Sequence, residues 1–147
     1  MLIKIKKLHP EAITPQYQAG GDAACFDLHA IEAGVLGSHN WTTTIGTGLA
    51  FAIPEGHVML VFSRSGHGFN HNVSLSNCVG VIDPGYVGEV KVKLAMRHTS
   101  KADYFYIKPG DRIAQAMVIP VPRVTFKVVE ELVGSNRGNG GFGSTGR

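Results

Sequence analysis

Glycine sets the terms for this chain. Nineteen glycines are spread through its 147 residues, and few of the segments between them show the i, i+3, i+4, i+7 periodicity of a helix. Those segments alternate instead. Leu2–Leu8 reads as a period-two run. In Glu89–Met96, Val90, Val92, Leu94 and Met96 fall on one face, with Glu89, Lys91 and Lys93 on the other. Val124, Phe126 and Val128 alternate with Thr125, Lys127 and Val129, and His57–Phe62 reads as a more fully buried strand. Many short strands separated by turns predict an all-β sandwich, barrel or jelly roll with at most one short helix. Turn chemistry supports this. Pro54 and Gly56 in "IPEG" suit the second and fourth positions of a type I turn. The Pro-Gly pairs of "DPGY" (Asp83–Tyr86) and "KPGD" (Lys108–Asp111) suit type II turns.

Composition narrows the class. Apolar residues make up 44% and charged residues 17%, enough for a single globular domain with its own core. The net charge of +3 is compatible with an anionic ligand. No dense lysine/arginine block marks a nucleic-acid surface. The two cysteines, Cys25 and Cys78, are too few for a disulfide framework or a zinc site and read as reduced thiols. The seven histidines show no metal-binding spacing. The N-terminus lacks the apolar run of a signal peptide, and no stretch reaches the ~20 apolar residues of a membrane span. A cytoplasmic address is the expectation.

Candidate chemistry sits at four places. A turn over Asp83–Tyr86 would set a carboxylate beside an aromatic ring, a pair that can hold and stack on a sugar. "SRSG" at Ser63–Gly66 follows a buried strand and can offer a guanidinium, a hydroxyl and amides to phosphate oxygens. "GDRIAQ" at Gly110–Gln115 suggests a local Asp111–Arg112 ion pair and a buried Gln115 amide. The chain closes on "RGNGGFGSTG", Arg137–Gly146. It matches GxGxxG literally, but a dinucleotide fingerprint must follow a strand and open a helix, and only Arg147 remains. What it offers is unhindered amides, two hydroxyls, an arginine and a phenylalanine. The division expected is a β domain over residues 1–134 and a flexible phosphate-binding arm over 135–147.

Taken together these segments resemble the homotrimeric dUTPase family, from about Ala19 to Gly146. The family's five ordered motifs correspond to "GDAACFDLHA" (Gly21–Ala30), "SRSG", "NCVGVIDPGYVGEV" (Asn77–Val90), "GDRIAQ" and "RGNGGFGSTG". The resemblance implies a distorted jelly-roll or β-clip-type barrel and a homotrimer with sites at subunit interfaces. It implies cleavage of Mg²⁺-bound dUTP to dUMP and pyrophosphate, without nucleic-acid or membrane partners. It also assigns roles. Asp83 is catalytic, handling the attacking water and the 3′-hydroxyl, and Tyr86 lies against the deoxyribose. Asn77 and the backbone of Gly80, Val81, Ile82 and Asp83 read uracil. Arg64, Ser65 and Gly66 hold phosphates from a neighbouring subunit, and Lys91 contacts substrate. Asp27 and Gln115 support the metal through water and phosphate contacts. Arg137 binds the terminal phosphate, Phe142 covers the base, and Gly143, Ser144 and Thr145 wrap the phosphates. Departures from the family pattern fall at Cys25, His67 and Asn72. Asn72 is expected to keep the positive φ of the glycine common there, and His67 to add a pH-dependent contact near the phosphates. Alternatives of other kinds are a dCTP deaminase, needing a catalytic glutamate for which Glu89 is the nearest candidate, and a silent nucleotide-binding protein.

Overall fold

The computed structural model describes residues 1–18, 22–37, 39–97, 104–134 and 138. Strands dominate. In chain order they are β1 (Lys4–Lys7), β2 (Phe26–His29), β3 (Gly34–Gly37), β4 (Thr42–Gly46), β5 (Leu49–Ala52) and β6 (His57–Phe62). One helix, α1 (Ser65–His71), follows, and then β7 (Val73–Leu75), β8 (Gly80–Ile82), β9 (Lys91–Met96), β10 (Tyr104–Ile107) and β11 (Arg112–Pro120). They form four antiparallel sheets, ordered β1-β5, β10-β3, β2-β11-β6-β8 and β4-β9-β7. The expected β-rich jelly-roll class with one short helix is what the chain adopts, although the sheets do not join into a closed barrel.

One apolar core fastens the sheets together. Leu28, Leu36, Ile45, Leu49, Met59, Leu94 and Ile113 are at most 1% exposed. Burial of each such side chain contributes about 1.5–3 kcal/mol. β9 carries the anticipated alternation, with Val92, Leu94 and Met96 inward and Lys91 and Lys93 outward. Its root is pinned from β5, where the Leu49 carbonyl accepts the Val90 N–H at 2.9 Å. The buried Thr47 Oγ1 donates to the Val90 carbonyl at 2.7 Å.

Several expectations change. The alternation at Val124–Val128 makes no strand: residues 121–134 carry no regular structure, and Phe126, Val128 and Val133 are 89%, 96% and 100% exposed. A strand needs a neighbour's backbone groups; Val121 N–H bonds to the Gly56 carbonyl at 2.7 Å, and beyond it the segment pairs with no strand among the described residues. The "IPEG" turn closes one residue later than expected, by Pro54 O to His57 N, with Gly56 at its third position and φ 72°. "KPGD" is the expected type II turn, with Gly110 at φ 87°. The helix falls on "SGHGFNH", a run with little helix propensity and no fully buried residue. Asn72 ends it at φ 54°, ψ 30°, its N–H bonding back to the carbonyls of His67 and Gly68. That is the left-handed cap anticipated for this asparagine. Both cysteines are free. Burial, then the Asp27 charge, raises the Cys25 thiol above its ordinary range, so it stays protonated.

Candidate active site

β8 and β9 follow one another in the chain, but they do not pair. β8 is the outer strand of its sheet and bonds only to β6, with Val61 opposite Gly80, Leu60 opposite Val81 and Met59 opposite Ile82. β9 lies between β4 and β7 in another sheet. The strands on either side of the Asp83–Tyr86 turn are therefore two arms splayed between sheets. A cleft of about 340 Å³ opens between them, with Asn77, Gly80 and Val81 on one side and Lys91 and Val92 on the other. Toward the turn it adjoins a second hollow of about 500 Å³ that reaches Asp83, Tyr86 and Glu89 and shares Val81 and Lys91. The backbone groups of β8 not used by β6 face unbonded space, ready to pair with a flat ligand edge.

The turn at the apex corrects another expectation. Tyr86 N bonds to Asp83 O at 3.1 Å, but Gly85 is outside the left-handed region, which rules out type II. Asp83 stands exposed at the rim. The Tyr86 hydroxyl donates to the Glu89 carbonyl at 2.8 Å, holding the ring down across Gly88. A Cβ on Gly88 would lie 2.8 Å from both Cζ and Oη of that ring. Glu89 is not the strand-surface residue its alternation suggested. Its Oε1 accepts the Gly48 N–H at 3.0 Å and its Oε2 lies 3.4 Å from Lys91 Nζ. Gly88→Ala is accordingly expected to displace the ring rather than unfold the chain. KM for the nucleotide should rise several-fold while the melting temperature stays within about 2–4 °C, equivalent to about 1 kcal/mol. Steady-state kinetics beside a thermal melt would check both.

A second cluster gathers residues distant in sequence. Asp27 on β2 lies opposite Gln115 on β11. Its side chain is only 10% exposed and its carboxylate meets two guanidiniums: Arg64 Nε at 3.5 Å from Oδ1, and Arg112 Nη1 at 3.1 Å from Oδ2. Arg64 also donates from Nη1 to the Arg112 carbonyl at 3.1 Å. Gln115 donates from Nε2 to the Ser63 carbonyl at 2.9 Å, and Ser63 Oγ accepts the Leu75 N–H at 2.8 Å. The Asp111–Arg112 pair expected from sequence is absent. Asp111 instead caps its own turn by accepting the Lys108 N–H at 2.8 Å, which frees Arg112 for Asp27. Ser65 and Gly66 open α1 beside Arg64, both exposed. Arg137, Phe142, Gly143, Ser144 and Thr145 lie outside the described residues.

Both the sequence and the architecture match known proteins. The family model described as dUTPase matches residues 10–146. The chain belongs to the dUTPase family. A deoxyuridine 5′-triphosphate nucleotidohydrolase of Nautilia profundicola is 47% identical over 147 residues, covering 100% of both chains. One of Helicobacter hepaticus is also 47% identical, over 99% of this chain and 89% of its own. Among solved structures, a mutant Staphylococcus bacteriophage 80alpha dUTPase with dUpNHpp superimposes with a TM-score of 0.88. It is 29% identical and 99% of each chain is covered. The two clusters are built from the segments singled out in the sequence: Asn77–Val90 builds the cleft, while Gly21–Ala30, Ser63–Gly66 and Gly110–Gln115 meet around Asp27.

Proposed function

We propose that this chain is a dUTP diphosphatase, cleaving dUTP to dUMP and pyrophosphate, and that it works as a Mg²⁺-dependent homotrimer in the cytoplasm. The observation that carries the reading is the unpaired edge of β8 facing the cleft. Uracil presents O2 and O4 as acceptors around an N3–H donor, and the edge of a short strand offers the complementary alternation. Cytosine inverts part of that pattern and would leave desolvated groups unpaired, a penalty of about 1–3 kcal/mol for each. Asn77 stands where the base enters. Tyr86, pinned by its hydroxyl, is the plate under the deoxyribose and leaves no room for a 2′-hydroxyl. Asp83 at the rim holds the 3′-hydroxyl and takes the proton of the water that attacks the α-phosphorus. Lys91, leashed to Glu89, contributes positive charge at the same mouth.

Phosphates are the work of the second cluster. Arg64, with Ser65 and Gly66, grips them and Asp27 aligns Arg64. Among the described residues no three His, Cys, Asp or Glu side chains come together to hold a metal, and both Asp27 oxygens face arginines. That arrangement suits Mg²⁺ carried by the triphosphate and its waters, with Asp27 and Gln115 in outer contact. When bound, the ion neutralises charge on the phosphate oxygens. Arg137, Phe142 and Gly143–Thr145 would close over the nucleotide as an arm appended to the 1–134 domain. The exposed apolar side chains of Val124, Phe126, Val128, Leu132 and Val133 support assembly, because an apolar stretch of this kind calls for a partner surface. In the cell the reaction would keep uracil out of DNA and supply dUMP for thymidylate synthesis.

The deaminase alternative loses ground at Glu89, whose carboxylate is occupied by Gly48 N and Lys91. Incubation with each nucleotide separates the readings. Pyrophosphate from dUTP, with neither ammonia nor pyrophosphate from dCTP, is the expected result; ammonia from dCTP would overturn the assignment, and no turnover of either would leave a silent binder.

A further inference from the structure

His67 departs from the family pattern, and its surroundings give it a task. It lies within α1, three residues after Arg64. Its Nε2 is 3.0 Å from Arg64 Nη1. A guanidinium has only donors, so Nε2 must present its lone pair and the ring proton must sit on Nδ1. That Nδ1 is buried and has no hydrogen-bond partner, a cost the fold accepts in order to keep the acceptor turned toward Arg64. The ring is fixed in place by Phe105 of β10, edge-on at 5.0 Å, and His71 rests against the same phenyl ring at 5.0 Å.

Its surroundings disfavour the charged form on balance. Burial and then the Arg64 guanidinium, helped by His71 and Arg112 and opposed by Asp111, push the imidazole down from 6.5 to about 4. At neutral pH it is an uncharged acceptor, so the pH-dependent contact expected from sequence is absent near pH 7. The unfolded chain takes up this proton near 6.5 and the folded one only near 4. Stability is therefore undiminished above about 6.5 and declines as the pH falls toward 4. Arg64 is thus held through Nε by Asp27 and through Nη1 by His67 and the Arg112 carbonyl. A guanidinium fixed beforehand loses less rotamer entropy on meeting an anion.

We propose that His67, as a neutral imidazole protonated on Nδ1, is a positioning residue that holds Arg64 in its phosphate-facing pose. This rests on the reading that Arg64 binds substrate phosphates. His67→Leu keeps an apolar body against Phe105 but removes the acceptor; His67→Gln restores an acceptor oxygen. Losing one hydrogen bond to a charged group should lower kcat/KM for dUTP about tenfold in the leucine variant. Glutamine should recover it to within about threefold. In an Arg64→Ala background His67→Leu should change nothing further, because its effect passes through Arg64. A leucine variant with wild-type kcat/KM, or the same loss without Arg64, overturns the proposal. Long-range ¹H–¹⁵N spectra of the wild-type imidazole at pH 7 give a readout independent of activity and of any variant's folding. The Nδ1–H tautomer is expected, and an Nε2–H or charged ring refutes it. If the wild type fails to turn over dUTP, the functional reading falls, while the spectra still report on the Arg64–His67 contact.

Discussion

Asp83→Asn should bind a non-hydrolysable dUTP analogue within about tenfold of the wild type yet lose about 10²–10⁴ in kcat, the usual contribution of a positioned general base. The split follows from where Asp83 stands. It is an exposed carboxylate at the first position of a tight turn, closed by Tyr86 N to Asp83 O. Asparagine fits the same turn, so the Tyr86 ring and the β8 edge should keep their places. The amide still hydrogen-bonds a sugar hydroxyl but cannot take a proton from water. Calorimetric binding beside single-turnover kinetics distinguishes the two effects. A variant that cleaves dUTP at the wild-type rate would mean that this carboxylate does not activate the water.

Asp27→Asn should damage both stability and activity. The carboxylate is the shared counter-ion of Arg64 and Arg112, whose side chains are 22% and 44% exposed. Removing one partner of a fully buried ion pair costs about 3–5 kcal/mol. Solvent reaches the arginines here, so about 2 kcal/mol is the appropriate figure, or about 4–8 °C in melting temperature for a chain this size. Asparagine keeps one acceptor oxygen, so one guanidinium is left facing an amide NH2 and both lose the carboxylate charge; with Arg64 less firmly held, KM should rise about tenfold. A melt and a KM both unchanged would show that the two guanidiniums are steadied by other groups.

How far these sites could be read in advance depended on the distance over which each contact acts. A continuous apolar run marked β6 and period-two alternation marked β9, because each records a local fact, how a strand's faces are buried. Gly110 and Asn72 were legible for the same reason: positive φ is a property of one residue and its cap. The Pro-Gly pair at Pro84–Gly85 was not decisive, since Pro-Gly fits turns with either sign of φ at glycine. Nor could the sequence display the Asp27–Arg112 bond, whose partners are 85 residues apart; nearby Asp111 was the natural but wrong mate. The helix arose where propensity was poor, held by its cap and by rings packed around Phe105. Residues 121–134 misled for the opposite reason. Their pattern is a strand's, but the described residues of the chain supply no strand to complete it.

The splayed arms of β8 and β9 have a wider consequence. Because each arm is anchored in a different sheet, the gap between them is set by how the sheets stack, and so by core residues such as Val61 and Leu75 that line its floor while being 4% and 5% exposed. The core is thus also a gauge block for whatever the cleft takes up. On the proposed reading, a shaved methyl there would blur the choice between uracil and its rivals well before the protein lost its fold, which would place the chain's fidelity under the control of buried apolar residues.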